Sequence, residues 1–80
     1  MEWNYHYTIS KENSFKKFKE TCAVLDVECA LYEKKPLVVD VDGSTVQLYK
    51  RGTSRVVVID DYDIGAVVVN SDIELRFLQQ

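Results

Sequence analysis

Apolar and polar side chains alternate at the start of the chain, over residues 2–9. The apolar positions are aromatic or β-branched and would share one face of a strand: Trp3, Tyr5, Tyr7 and Ile9. A period of two with this content predicts a first β-strand. His6, the only histidine of the chain, would lie on the opposite, polar face.

A helical pattern follows this strand. Apolar residues recur at spacings of three and four along one stripe: Phe15, Phe18, Cys22, Leu25, Cys29 and Tyr32. Such a stripe predicts an amphipathic helix that faces the core, with Ser10 as its N-terminal cap. The stripe favours one long helix to Tyr32. Alternatively, the helix ends near Asp26 and residues 27–33 form a strand.

Beyond Leu37 the pattern changes to short apolar runs separated by turn residues. The runs cover residues 37–41, 45–49, 56–59, 66–69 and 73–78. Asp42-Gly43 predicts a type I′ hairpin between the first two runs, because both central residues of that turn need a positive φ. Turns this short join antiparallel neighbours. The predicted fold class is α+β: an N-terminal strand and one helix, packed on a five-stranded antiparallel meander in a single domain over residues 1–80.

The runs at residues 56–59 and 66–69 are apolar on both faces of the predicted sheet. One helix covers only one face, so the other face needs cover of its own. Either the sheet curls toward a small barrel, or its second face meets another chain. The second alternative predicts a protein partner or a homodimer.

Composition and charge narrow the function. Hydrophobic residues make up 46% of the chain and charged residues 29%, as in soluble globular proteins. No apolar run approaches the roughly 20 residues of a membrane helix, and the first residues lack the pattern of a secretory signal. Two cysteines without a metal-binding or disulfide pattern, Cys22 and Cys29, predict buried thiols in a reducing compartment, the cytoplasm.

The formal net charge of −3 is unevenly distributed, because the acidic excess lies in residues 36–80. Nucleic-acid binders usually carry an excess of Lys and Arg instead, whereas an acidic surface attracts a basic protein partner. The sequence therefore disfavours nucleic acid and predicts an unidentified protein as the partner.

The acidic turn at residues 60–65 is the candidate binding site. It offers Asp60, Asp61, Tyr62 and Asp63, with Tyr62 as an anchor because tyrosine provides contact area at a low entropic cost. The sequence contains no complete catalytic set, phosphate-binding loop or metal-ligand pattern. We therefore expect no catalytic residue, metal or cofactor. The predicted function is a small non-enzymatic protein-binding module of inhibitor, immunity or regulatory-adaptor type that acts through an acidic surface.

The alternative function uses the hairpin tip at residues 50–55. Its cations and an adjacent aromatic residue are Tyr49, Lys50, Arg51 and Arg55. Cations at a tip can contact phosphates, and an aromatic first strand can stack bases. This combination would give an RNA-binding or single-stranded nucleic-acid-binding domain.

Overall fold

One helix packs against a six-stranded antiparallel sheet in the computed structural model, which describes residues 3–78. The strands are β1 (Tyr5–Ser10), β2 (Glu33–Lys34), β3 (Val38–Val39), β4 (Thr45–Arg51), β5 (Ser54–Asp61) and β6 (Ala66–Ser71), and the helix is α1 (Phe15–Glu28). The strand order is β1-β6-β5-β4, with β2 and β3 both beside β4. The predicted α+β class with an N-terminal strand is confirmed, and the sheet is open rather than closed into a barrel.

The first strand and the helix both begin later than predicted. β1 begins at Tyr5, and residue 2 of the predicted strand lies outside the described residues. Ser14 rather than Ser10 caps α1, because its backbone is extended and its Oγ accepts the Lys17 N–H at 3.1 Å. Ser10 instead ends β1, where its pairing with Val67 follows a register irregularity.

The end of α1 also differs from the sequence prediction. The helix ends at Glu28 and Cys29 forms its C-terminal cap, with the Cys29 N–H donating to the carbonyl oxygen of Leu25. The chain then turns, and the Tyr32 N–H donates to the Cys29 carbonyl at 2.9 Å. The long helix to Tyr32 is therefore wrong, because the chain leaves the helix to pair β2 with β4.

Strands β2 and β3 are two halves of one edge strand interrupted at Pro36. Lys34 lies opposite Tyr49, so an unbroken antiparallel ladder would place Val38 opposite Thr45. Val38 lies opposite Val46 instead. Pro36 has no N–H to donate to the ladder, and a one-residue shift at such a position is a bulge.

The last predicted strand, at residues 73–78, does not form. The edge of β6 that it would need is already paired with β1. The chain bends away, and Arg76–Leu78 form a 3₁₀ helix. Leu75 enters the core with 1% of its surface exposed, and its N–H donates to the Tyr7 hydroxyl at 2.7 Å.

The core lies between α1 and one face of the sheet. Its buried residues are Phe18, Cys22, Leu25, Cys29, Tyr49, Val56, Val58, Val67, Val69 and Leu75. Both cysteines are free and buried, as predicted. Burial raises the pKa of the Cys22 and Cys29 thiols, which keeps them protonated and poorly nucleophilic.

The two-sided apolar pattern of the middle strands is confirmed. Val57 and Val68 are 6% and 3% exposed, yet neither belongs to the core cluster beneath α1. They point to the opposite face of the sheet, because side chains alternate along a strand. Both faces of the sheet centre are therefore apolar.

Candidate functional site

Two acidic turns lie at the same end of the sheet, where β4 begins and β5 ends. One joins β3 to β4 and the other joins β5 to β6. They are linked by the Tyr62 N–H, which donates to the hydroxyl oxygen of Ser44 at 2.8 Å. We call the surface residues of these turns the acidic tip; they are Asp40, Val41, Asp42, Asp61, Tyr62, Asp63 and Ile64.

Carboxylates of the acidic tip hold their own turns in shape. Asp42 Oδ1 accepts the Ser44 N–H at 2.9 Å, and Asp61 Oδ1 accepts the Asp63 N–H at 2.9 Å. Bonds of this kind between an aspartate and the backbone two residues on stabilise turns. The same Ser44 N–H lowers the pKa of Asp42 below its ordinary value. Asp42 therefore stays charged through mildly acidic conditions.

Apolar side chains stand exposed among these carboxylates. Tyr62 is 53% exposed and Ile64 is 59% exposed, while Val41 is fully exposed at 103%. Large side chains on a preformed turn can be buried by a partner with little loss of conformational entropy. The acidic tip thus combines apolar contact area with negative charge.

Asp60 does not share this surface, although the sequence groups it with Asp61 and Asp63. It is 1% exposed, and its Oδ1 accepts a hydrogen bond from Asn13 Nδ2 at 2.9 Å. The same amide donates to the Asp61 carbonyl oxygen at 2.9 Å. Because β5 continues to Asp61, beyond the predicted end at residue 59, Asp60 is a strand residue on the face that carries α1. Its carboxylate joins the segment before α1 to β5.

The sequence analysis did not identify the β3–β4 turn as part of the candidate site. The sequence analysis gave Asp42-Gly43 only the role of turning the chain. The pair does so, but the predicted type I′ turn is wrong, because Gly43 has a positive φ of 92° and Asp42 does not. A usable signal was present, since alternate turns of an antiparallel meander lie at the same end of the sheet. That rule places Asp40 and Asp42 beside the acidic turn of residues 60–65.

The residues predicted for nucleic-acid binding are dispersed by the fold. Tyr49 is 1% exposed and its hydroxyl lies 2.8 Å from Asp26 Oδ1, so its ring is not available for stacking. Lys50 and Arg51 are exposed at the tip of the β4–β5 hairpin.

Arg55 is held inside a local cluster at the same end of the sheet. Its Nε and Nη2 donate to the two carboxylate oxygens of Asp72 at 2.9 and 3.0 Å, and its guanidinium carbon lies 4.3 Å from the centre of the Trp3 ring. The hydrogen bonds from Arg55 lower the pKa of Asp72. Trp3 therefore stacks on a side chain of its own fold, away from the aromatic face predicted for the first strand.

The region that the structure describes contains neither a cluster of metal ligands nor a membrane-spanning helix. Within residues 3–78, no three histidine, cysteine or acidic side chains are grouped so that they could hold a metal ion. The described helices are all too short or too polar for a membrane span. Comparison of the chain with protein-family models, curated proteins and solved structures found no match.

Proposed function

We propose that this chain is a small, non-enzymatic protein-binding module of inhibitor, immunity or regulatory-adaptor type, that it acts in the cytoplasm, and that the acidic tip is its contact surface. One observation carries the proposal. Exposed apolar side chains and carboxylates occupy two turns that are fastened together by the bond between Tyr62 and Ser44.

Tyr62 is the expected anchor of the contact. Aromatic residues dominate the binding energy of many interfaces when they enter a pocket near the centre of the contact. The Tyr62 backbone is fixed through Ser44, which is itself buried at 5% exposure. The turn therefore presents the ring without first having to become ordered.

Carboxylates around the anchor define the chemistry of the partner. Asp42 and Asp63 are both exposed, so their charges extend into solvent and accelerate the approach of a basic surface. Salt at physiological concentration screens such charges beyond about 8 Å. We therefore expect a partner that carries lysine or arginine beside an apolar hollow, with association that slows as salt is added.

Affinity capture from the source cells with matched baits tests the proposal. The tip variant carries Asp42→Asn, Asp63→Asn and Tyr62→Ala; asparagine keeps the oxygen that accepts the Ser44 N–H. The control variant carries Glu20→Gln and Glu28→Gln, which remove the same net charge from exposed positions on α1. We expect a protein that is retained by the wild type and the control but lost by the tip variant. With the purified partner, the association rate should then fall as salt rises.

Equal retention by the tip variant, or no protein enriched by the wild type, would contradict the proposal. The alternative function has a separate readout on the same samples. Binding of a single-stranded oligonucleotide at low salt, abolished by Lys50→Ala with Arg51→Ala, would support nucleic acid as the partner instead.

A further inference from the structure

A groove runs along one side of α1, between the helix and the edge of the sheet formed by β2 and β3; we call it the helix–edge groove. Phe18 and Cys22 of α1 are buried at its base. Phe15, Leu37 and Gln47 line its sides. The groove encloses about 310 Å³, at the lower end of the range for ligand-binding clefts. It therefore has room for a large amino-acid side chain.

The rim of the helix–edge groove is apolar and exposed. Phe15 is 55% exposed and Leu37 is 51% exposed. Val39, at 66% exposure, lies on the same face of the sheet, because it pairs with Thr45, two residues from Gln47 of the groove. These three side chains offer apolar contact area that the described part of the chain leaves in solvent.

The backbone of β3 presents an open strand edge beside this groove. β4 pairs with β3 on one side, and no strand among residues 3–78 pairs with it on the other. The Asp40 N–H donates to the Ser44 carbonyl oxygen at 2.7 Å. Backbone groups alternate in direction along a strand, so the N–H and carbonyl of Val39 point away from β4. The open edge ends there, because the Val41 N–H already donates to Asp40 Oδ1 at 2.7 Å.

The charged residues that line the groove are Lys19, Lys34 and Asp26, whose sum is one positive charge. Lys34 is held by Asp26, since its Nζ lies 3.1 Å from Asp26 Oδ1. Lys19 forms no ion pair in the part of the chain that the structure describes, and its Nζ lies 5.7 Å from the centre of the Phe15 ring. A carboxylate would therefore complement Lys19 beside the apolar rim.

We propose that the helix–edge groove binds an extended segment of a partner protein, which adds to β3 as a further strand. The main chain of the segment bonds to the outward N–H and carbonyl of Val39. One of its large apolar side chains enters the groove between Phe18 and Leu37, and an acidic side chain lies beside Lys19. Strand addition of this kind draws affinity from the main chain and specificity from side-chain pockets.

The open backbone of β3 favours a peptide over a small amphiphilic acid, because a peptide supplies donors and acceptors in the alternating pattern of a strand edge. Both recognised side chains must lie on the face that carries α1, so they should be two positions apart in the segment. The expected motif is a large apolar residue with Asp or Glu two positions away. The contacts involve no residue of the acidic tip, and they select the opposite charge.

Selection of a phage-displayed library of random linear peptides on the full chain gives the first test. We expect enrichment of the motif above, and the enriched peptide is then synthesised and titrated by calorimetry. Lys19→Glu and Leu37→Glu should each weaken its binding by about tenfold or more. The matched controls are Lys17→Glu, on the other flank of α1, and Val27→Glu, at a position that is 73% exposed. Both controls should bind like the wild type.

The main-chain contacts have a separate test, which does not require any protein variant to fold. N-methylation of the synthetic peptide at successive residues should abolish binding at alternate positions only, because every second N–H faces β3. Val39→Pro removes the outward N–H of β3 without removing a bond to β4. It should weaken binding by about tenfold or more, with circular dichroism as the check of folding.

Several results would overturn the proposal. They are a selection that enriches no such motif, equal binding by Lys19→Glu and Leu37→Glu, and N-methylation without an alternating effect. Concentration-dependent dimerisation of the wild type that Val39→Pro abolishes would make a second copy the occupant of the edge instead. The variant with Asp42→Asn, Asp63→Asn and Tyr62→Ala should bind the peptide like the wild type; loss of binding there would place the peptide on the acidic tip and overturn the proposal too.

Discussion

The hydroxyl of Tyr49 connects the sheet to α1, and its removal is a sharp test of the packing described above. The side chain is 1% exposed, and the hydroxyl lies 2.8 Å from Asp26 Oδ1 and 3.1 Å from the Cys22 carbonyl oxygen. Burial, assisted by the neighbouring Asp26 carboxylate, holds the pKa of Tyr49 above its ordinary value. The hydroxyl therefore remains protonated at neutral and acidic pH and can act as a donor. Tyr49→Phe deletes this donor and keeps the ring.

The expected loss of stability is moderate. A hydrogen bond to a charged acceptor contributes about 1.5–3 kcal/mol, but Asp26 is 45% exposed and keeps its ion pair with Lys34 at 3.1 Å. Solvent therefore replaces part of the lost interaction, and we expect a decrease of about 1 kcal/mol in the free energy of unfolding. For a domain of this size, that corresponds to a fall in Tm of about 5 °C.

The pH dependence of this loss of stability tests whether the Asp26 carboxylate is the acceptor of the Tyr49 hydrogen bond. Burial raises the pKa of Asp26, but hydrogen bonds from Tyr49 and Lys34 outweigh it and leave that pKa below its ordinary value. A lowered folded-state pKa contributes stability above the unfolded-state pKa, and this stability is lost as pH falls through the folded value. The difference in unfolding free energy between wild type and Tyr49→Phe should therefore be full at neutral pH and should shrink as the pH falls below the unfolded-state pKa of about 3.9.

Urea denaturation at neutral and acidic pH measures this difference. In an Asp26→Asn background, which removes the charged acceptor, Tyr49→Phe should have a smaller effect at neutral pH. A loss of equal size at both pH values, or no loss at neutral pH, would refute the assigned role of the hydroxyl.

The remaining predictions concern the core and the segment before α1. Leu25→Ala, at a side chain with 0% exposure, should lower the unfolding free energy by about 3 kcal/mol. Val27→Ala, on the outside of the same helix, should change the unfolding free energy by less than about 0.5 kcal/mol. Losses of similar size for the two variants in urea denaturation would contradict the orientation of α1. Asn13→Ala should lower the unfolding free energy by about 1–3 kcal/mol, because the buried Asp60 carboxylate loses its hydrogen bond from the Asn13 amide. Asn13→Asp should be at least as harmful because it opposes two carboxylates, and a harmless Asn13→Asp in thermal unfolding would contradict the contact.

The sequence predicted a helix, strand or turn correctly wherever the local pattern of residues was compatible with only one kind of secondary structure. The alternation near Tyr5 and Tyr7, and the Asp42-Gly43 turn, identify strands and a hairpin within a few residues. The apolar stripe from Phe18 to Leu25 identifies the buried side of α1. In each case the spacing that buries apolar side chains also satisfies the backbone hydrogen bonds.

The boundaries were decided by contacts distant in sequence. Ser10 and Ser14 are both capable N-caps, and the choice between them depends on how far β1 pairs with β6. Tyr32 fits the helical stripe, yet pairing of the next residues with β4 ends the helix earlier. Tertiary pairing overrides local propensity at such positions.

The candidate site was predictable in part for the same reason. Asp61, Tyr62 and Asp63 belong to a turn that the sequence marks clearly, and all three lie on the acidic tip. Asp60 differs because β5 extends two residues beyond its predicted end at residue 59. Asp60 is therefore a strand residue, and its side chain points to the buried face of the sheet. Arg55 belonged to a basic cluster in the sequence, but its bond to Asp72 depends on the pairing of β5 with β6.

The distribution of charge along the sheet, more than the net charge of −3, governs how a partner approaches. Lys50 and Arg51 lie at one end of the β4–β5 hairpin, and Asp61 and Asp63 lie at the other, roughly 20 Å away. This separation exceeds the screening length of about 8 Å at physiological salt, so a basic surface at the acidic tip is attracted there with little repulsion from the far end. Equal changes in net charge should therefore have unequal effects. Neutralising the tip should slow association, and neutralising acidic residues on α1 should leave the rate unchanged.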